Sequence, residues 1–242
     1  FMTSDTTGYL RFSKFSRTTY QECSEAIKKL VDSGMTYLIM DVRGNSGGYL
    51  DQAVMVSDMF LPKDAMIVYM EGAHRSREEF RASGRGKYQD LKLAILIDEG
   101  TASAAEIISG AMQDNGRALI YGRRSFGKGL VQEPVNFSDG SGLKLTTARF
   151  YTPSGRCIQK PYSEDYALEV YKRYSEGEML SADSLKLSKG GILPDVFVPI
   201  DTTKVSDFYL KCSRKATEMR FASDFFDHHA AELSAIDDYD QL

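Results

Sequence analysis

The sequence contains no tryptophan, and only six prolines and three cysteines in 242 residues. Cys23, Cys157 and Cys212 are odd in number, far apart, and form no Cys-x-x-Cys pair with a histidine nearby. A disulfide framework and a structural zinc site are therefore excluded, and three separate thiols are expected. Long apolar runs are missing as well. A run such as Leu93-Ala94-Ile95-Leu96-Ile97 falls far short of the roughly 20 residues that cross a bilayer. There is no excess of positive charge: 30 Lys plus Arg stand against 34 Asp plus Glu, for a net charge of -4. Without a basic stripe to neutralise phosphates, nucleic acid is not an expected partner. The first residues, Phe1-Met2-Thr3-Ser4-Asp5, lack the basic and apolar regions of a signal peptide and read as the interior of a longer chain. No internal repeat or low-complexity tract is present.

What remains is an ordinary globular composition, 42% hydrophobic and 26% charged, enough for one large domain with a small appendage. Gly8 to Phe12 alternates as a strand, and Thr18 with Glu22 opens a helix that continues through Ile27, Leu30 and Val31 to Gly34. Residues 37–42 form a continuous apolar run, the pattern of a strand covered on both faces in a parallel sheet. A helix is expected over 52–60, strands over 65–70 and 91–97, and a second helix from Ser103 to about Gln113. This alternation is βαβ grammar. Residues 72–90 are polar and basic and are expected to form an exposed loop that contributes no core. Strands follow at 119–121, 130–135 and 143–151, the last two flanking a turn at 138–142. Residues 161–194 read as a linker-like excursion, with a polar helix at 164–173 and a loop at 181–189, before a last strand at 195–200. The core thus extends over 1–200, and a helical pattern through Phe208, Cys212, Met219, Phe225 and Phe226 makes 201–242 an α-helical appendage.

Three segments carry chemistry. In Asp98-Glu99-Gly100-Thr101-Ala102-Ser103-Ala104-Ala105-Glu106 a buried strand passes through small residues directly into a helix. Ser103 there can present its Oγ while the following backbone N–H points the same way, at the positive end of the helix dipole. The plainer alternative is that Ser103 or Thr101 is only an N-cap. In Arg123-Arg124-Ser125-Phe126-Gly127-Lys128-Gly129-Leu130-Val131-Gln132, small neighbours permit close approach to Lys128. If Lys128 runs inward, desolvation makes its amine a base able to take a serine proton. Two-residue periodicity puts Gln132 on the same face, where it can hold the ammonium. The plainer alternative is a surface lysine at a strand end. In Asp41-Val42-Arg43-Gly44-Asn45-Ser46-Gly47-Gly48, glycines leave backbone N–H groups bare. The segment fits neither Gly-x-Gly-x-x-Gly nor the P-loop, so nucleotide binding is not expected. His74, His228 and His229 have no motif linking them to Ser103, and a Ser-His-Asp triad is not expected.

Taken in order, residues 41–48, 100–106, 113–115, 122–132, 139–142 and 146–156 resemble the carboxyl-terminal processing proteases, or tail-specific proteases, serine peptidases with a Ser-Lys dyad. Gly190-Gly191-Ile192-Leu193-Pro194-Asp195 resembles the segment that closes their core. The resemblance implies an α/β fold with a ClpP/crotonase-like spiral core. It implies Ser103 as nucleophile, Lys128 as general base and Gln132 as the residue orienting it. The oxyanion hole would come from the backbone N–H of Ala104 with that of Gly48, or Gly47. Thr101, Ser109 and Ser125 would be bystanders. No cofactor, metal or ATP is implied. Partners would be protein or peptide substrates with flexible, often apolar C-termini, and self-association through the C-terminal helices is an expectation. The setting implied is extracytoplasmic, periplasmic or associated with the cell envelope. Members of the family usually carry a PDZ domain that holds the substrate tail, and none is recognisable in this chain. Two rivals are a catalytically silent peptide-binding module of the same fold, and acyl-CoA chemistry in which the oxyanion hole holds a thioester enolate. The second has no need of Lys128 and Gln132 at this spacing.

Overall fold

The computed structural model describes residues 1–161, 169, 172–174, 176–183, 190–201, 206, 208 and 217–233. The expected helix at 164–173 and loop at 181–189 lie largely outside these residues, as does Cys212. The chain divides into two compact units, Phe1–Pro199 and Ile200–Leu242.

In the first unit, five parallel strands stand in the order β1 (Thr7–Arg11), β2 (Tyr37–Asp41), β5 (Lys92–Ile97), β6 (Ala118–Gly122) and β9 (Val196–Phe197). The last strand is shorter than the sequence pattern suggests. Helix α1 (Thr19–Asp32) follows β1, α2 (Leu50–Asp58) follows β2, and α3 (Ala104–Asp114) crosses from β5 to β6. Covering helices explain why β2 and β5 read as unbroken apolar runs: Leu38, Met40, Ile95 and Ile97 are buried, with Ile108 and Met112 of α3 in the same core. Helix α2 packs against both α1 and α3. Every residue of α3 from Ala104 to Met112 is buried, so this helix is central rather than amphipathic.

A second sheet of four strands has the order β4 (Arg75–Arg81), β3 (Met66–Gly72), β8 (Gly142–Tyr151), β7 (Leu130–Asn136), and all its neighbours are antiparallel. Here the structure corrects the sequence reading, because residues 72–90 are not a loop without core. They contain β4, they bury Ala82, and they pack Phe80 and Tyr88 against the main cluster. The composition Arg-Ser-Arg-Glu-Glu-Phe-Arg hides the strand. Its charges satisfy one another at a sheet edge, where Glu79 takes both Arg77 and Arg81 while the Arg77 guanidinium lies 3.7 Å from the Tyr69 ring centroid.

Buried polar groups tie the loops to this frame. Asp41 is fully buried and accepts hydrogen bonds from the Arg43 N–H and guanidinium and from the Tyr9 hydroxyl. Asp114 accepts from Ser154 and pairs with Arg156, and Glu178 pairs with Arg124 and Arg173. Burial works against ionisation at all three carboxyls, but these donors and cations outweigh it and hold each below its ordinary value. A carboxylate with a depressed folded-state pKa contributes stability that is present above its unfolded value and lost as pH falls through the folded one. Denaturant midpoints should therefore hold from neutrality to about pH 4 and then fall steeply, with a shallower fall in Asp41→Asn. An acid limb identical in wild type and Asp41→Asn would remove Asp41 from this account.

Cys23 is buried and its thiol is pushed up to about 12 by burial, while Cys157 is partly exposed; both are free. In the second unit, α4 (Thr217–Leu233) is irregular at His229 and carries the exposed rings of Phe221, Phe225 and Phe226. Among the described residues no helix is long and apolar enough to cross a membrane.

Candidate active site

Strands β2, β5 and β6 are neighbours and parallel, so the loops leaving their carboxyl ends converge. These loops, residues 42–48, 98–103 and 123–129, fall within the three segments singled out above. Thr101, fully buried, joins all three, its hydroxyl donating to the Val42 carbonyl and its carbonyl accepting from the Phe126 N–H at 2.8 Å. Asp98 Oδ1 accepts from the Gly44 and Gly100 N–H groups, and Ala102 N–H donates to the Asn45 carbonyl.

Ser103 occupies the N-cap position of α3, so the plainer reading was right about its place. Its conformation is another matter. An ordinary N-cap is extended, whereas Ser103 has φ 54° and ψ -117° and is one of two non-glycine residues with positive φ among those described. A strained serine between strand and helix is the geometry that lifts a hydroxyl out of the fold. Gly47 packs directly beneath it, and a Cβ added at Gly47 would lie 2.7 Å from that of Ser103.

The strain is held by a residue that sequence reasoning passed over. Glu106 is fully buried and its carboxylate accepts four hydrogen bonds. Oε1 accepts from the Ser125 hydroxyl and, at 2.7 Å, from Gly127 N–H; Oε2 accepts from Ser103 N–H and Lys128 N–H, both at 2.8 Å. One side chain thus sets the backbone of both Ser103 and Lys128. Burial raises its pKa, and the four donors work in the opposite direction. The available signal was the capping-box spacing Ser103-Ala104-Ala105-Glu106. Ser125 is correspondingly more than a bystander, since its hydroxyl also accepts from Ile192 N–H at 2.7 Å. Asn45 was missed too: it is buried, its amide donates to the Phe12 carbonyl, and its Oδ1 accepts from Gly47 N–H at 2.8 Å.

Ser103, Lys128 and Gln132 line a single cleft of about 330 Å³, together with Gly48, Ala104 and the apolar side chains of Leu50, Ile107, Leu130 and Phe150. A larger hollow of about 490 Å³ lies against Glu71, Thr147 and Arg149, and none of the residues proposed from sequence faces it. Gly48 and Ala104 each turn an N–H toward no hydrogen-bond acceptor among the described residues, while that of Gly47 is engaged by Asn45. Two expectations need correction. Lys128 does not run inward, because its side chain is exposed. Nor does a regular strand carry Lys128 and Gln132, because β7 begins at Leu130 and its register shifts between Val131 and Gln132. Both side chains reach the cleft by that irregular path, and among the described residues no hydrogen bond joins Ser103 Oγ, Lys128 Nζ and the Gln132 amide.

His74 sits exposed at the turn between β3 and β4 and does not line the cleft, and His228 and His229 belong to the second unit. Among the described residues no cluster of His, Cys, Asp and Glu has the makings of a metal site.

The chain is 40% identical over 153 residues to a carboxyl-terminal-processing protease of Synechocystis sp., covering 63% of this chain and 35% of that one. It is 37% identical over 153 residues to a chloroplastic C-terminal processing peptidase of Tetradesmus obliquus, covering 63% of this chain and 33% of that one. Among solved structures it is similar to a photosystem II D1 C-terminal processing protease, with a TM-score of 0.64 and 32% identity over 80% of this chain and 42% of that one. The chain thus spans about a third of the length of the curated relatives it matches. The model of peptidase family S41 matches residues 6–168. With the α/β fold and the converging loops in place, the chain belongs to peptidase family S41.

Proposed function

We propose that this chain is the catalytic part of a serine endopeptidase that cuts protein substrates near their C-terminal tails through a Ser103–Lys128 dyad. The observation that carries the reading is the strained Ser103 at the amino end of a buried helix, opening on a cleft that Lys128 and Gln132 also line. Neutral Lys128 takes the proton of Ser103 Oγ as the oxygen attacks a peptide carbonyl. The oxyanion is held by the N–H groups of Ala104 and Gly48, each worth about 3 kcal/mol in the transition state. Gly47 drops out of this role because Asn45 takes its N–H. Lys128 then protonates the leaving amine, and water resolves the acyl-enzyme.

Since Lys128 is exposed in the chain by itself, the desolvation that favours its neutral form falls to the bound substrate covering the cleft. Gln132, on the rim, keeps the flexible amine near Ser103 once the substrate is in place. The reading includes an extracytoplasmic setting, which cell fractionation checks.

The test is cleavage of an unstructured protein with an apolar C-terminus. Wild type should cut. Ser103→Ala and Lys128→Ala should fall to background, and Gln132→Ala should lower kcat with little change in KM. Cleavage by Ser103→Ala would end the dyad reading. Binding without cleavage by wild type would favour the silent peptide-binding module instead.

A further inference from the structure

The peptidase reading leaves open what kind of peptide the cleft prefers, and the β7–β8 hairpin speaks to this. Its register pairs Gln132 with Thr146 and Pro134 with Lys144, so Gln132 and Lys144 stand on one face of the hairpin, and both line the cleft. The opposite face pairs Glu133 with Leu145 and Val135 with Leu143, and Glu133 is neutralised there by Arg75. The hairpin therefore sorts its charges, with the acid turned away from Ser103 and the base turned toward it.

Lys144 forms no ion pair among the described residues, unlike Arg75, Arg77 and Arg81 of β4 in the same sheet. No acidic side chain lines the cleft, where Lys128 and Lys144 are the ionisable groups and the amino end of α3, with its partial positive charge, forms part of the wall. With Lys128 acting as the neutral base, Lys144 is the side-chain charge left on the cleft lining. The rest of the lining, Leu50, Ile107, Leu130 and Phe150, is apolar and indifferent to charge.

We propose that Lys144 is a specificity-determining residue that engages a carboxylate of the bound peptide close to the scissile bond, selecting acidic and rejecting basic segments. This rests on the reading of the cleft as the peptide site. The carboxylate has two sources, an Asp or Glu side chain or the free C-terminus of the tail itself. A partly exposed pair of this kind changes affinity by roughly 3- to 5-fold and is weakened by salt.

The experiment uses the chain carrying Ser103→Ala, so that peptides are held and not consumed. Fluorescent peptides share an apolar centre and carry Asp, Asn or Lys on either side of it, each with a free or amidated C-terminus. Anisotropy titrations at low salt should rank Asp above Asn above Lys, and the ranking should flatten at high salt. It should reverse on adding Lys144→Glu and be unchanged by Lys29→Glu, which alters the exposed face of α1. A loss of affinity on amidation that Lys144→Glu eliminates assigns the carboxylate to the C-terminus, and an Asp-over-Asn-over-Lys ranking that survives amidation assigns it to a side chain. Equal affinities across all peptides, free and amidated, affinities indifferent to Lys144→Glu, or no peptide binding at all would overturn the proposal. Cleavage by the chain with Ser103 intact is read separately: charge-selective binding without any cutting would keep the role of Lys144 and sink the peptidase reading.

Discussion

Glu106→Ala should abolish peptide cleavage and destabilise the chain by about 4 kcal/mol or more, a combination that removing the Ser103 hydroxyl alone would not produce. The carboxylate is fully buried beneath the site, and its removal leaves four donors, Ser103 N–H, Ser125 O–H, Gly127 N–H and Lys128 N–H, without their acceptor. Each unsatisfied buried donor costs about 1–3 kcal/mol, relieved in part where water enters the cavity. Against a total stability of roughly 5–15 kcal/mol the loss is large, so yield is expected to suffer as well. Glu106→Gln separates shape from charge. It fills the same volume but turns an amide NH2 against two of the donors, so it should fold, lose less stability than the alanine variant, and still cut at least about 100-fold more slowly. Acid provides the same test without mutation. The raised pKa of Glu106 means that it protonates at a less acidic pH than an ordinary glutamate, converting one acceptor oxygen into a donor. Activity should therefore fall on the acid side while the chain remains folded by circular dichroism. Wild-type cleavage by Glu106→Ala would show that Ser103 and Lys128 keep their places without it.

Gly48→Ala should be almost as damaging, by a different route. Gly48 has φ 143°, a region that L side chains rarely adopt, and an added Cβ would lie 2.0 Å from the Phe15 carbonyl oxygen. That carbonyl cannot simply give way. It accepts from Tyr49 N–H at 3.0 Å, while Phe15 N–H donates to the Gly47 carbonyl at 2.9 Å, so the loop is stitched to residue 15 on both sides of Gly48. The methyl group must push the loop off Phe15, whose side chain is fully buried, and the Gly48 N–H leaves the cleft with it. We expect a stability loss of about 2–4 kcal/mol and a fall in kcat of about 100-fold or more from the lost oxyanion donor. Gly44→Ala is the control. Gly44 also has positive φ, 69°, but no atom within 4 Å of the added Cβ, so only the backbone strain of about 1 kcal/mol is expected and cleavage should be nearly unchanged. Similar losses in the two variants would mean that strain in the loop, not displacement of Gly48, is what matters.

Much of the fold was legible because its signals are local. Residues 37–40 and 93–97 announce buried parallel strands by apolar runs, and Ser103 announces a helix start by its small neighbours. The strand β4 was not legible, because its polar sequence acquires meaning only beside Tyr69 and within its own ladder of Arg and Glu. At the site, the types and order of Ser103, Lys128 and Gln132 could be read from the chain, since strand, turn and glycine signals surround each of them. The environment of Lys128 could not. Whether a lysine is buried depends on what lies above it, and the Lys128 side chain is exposed, with nothing among the described residues covering it.

The sequence by itself determined the βαβ alternation, the three loops that carry the chemistry, and the resemblance of those loops to a peptidase family. The tertiary structure alone decided that the loops meet, because β2, β5 and β6 are far apart in the chain and become neighbours only through sheet pairing. It also decided that a glutamate three residues after Ser103 reaches the backbone at Lys128, a separation of 22 residues spanned by one hydrogen bond. Periodicity and turn chemistry act over a few residues and leave their mark in the sequence. Hydrogen bonds between distant loops have no such local trace, and the geometry of this site is made of them.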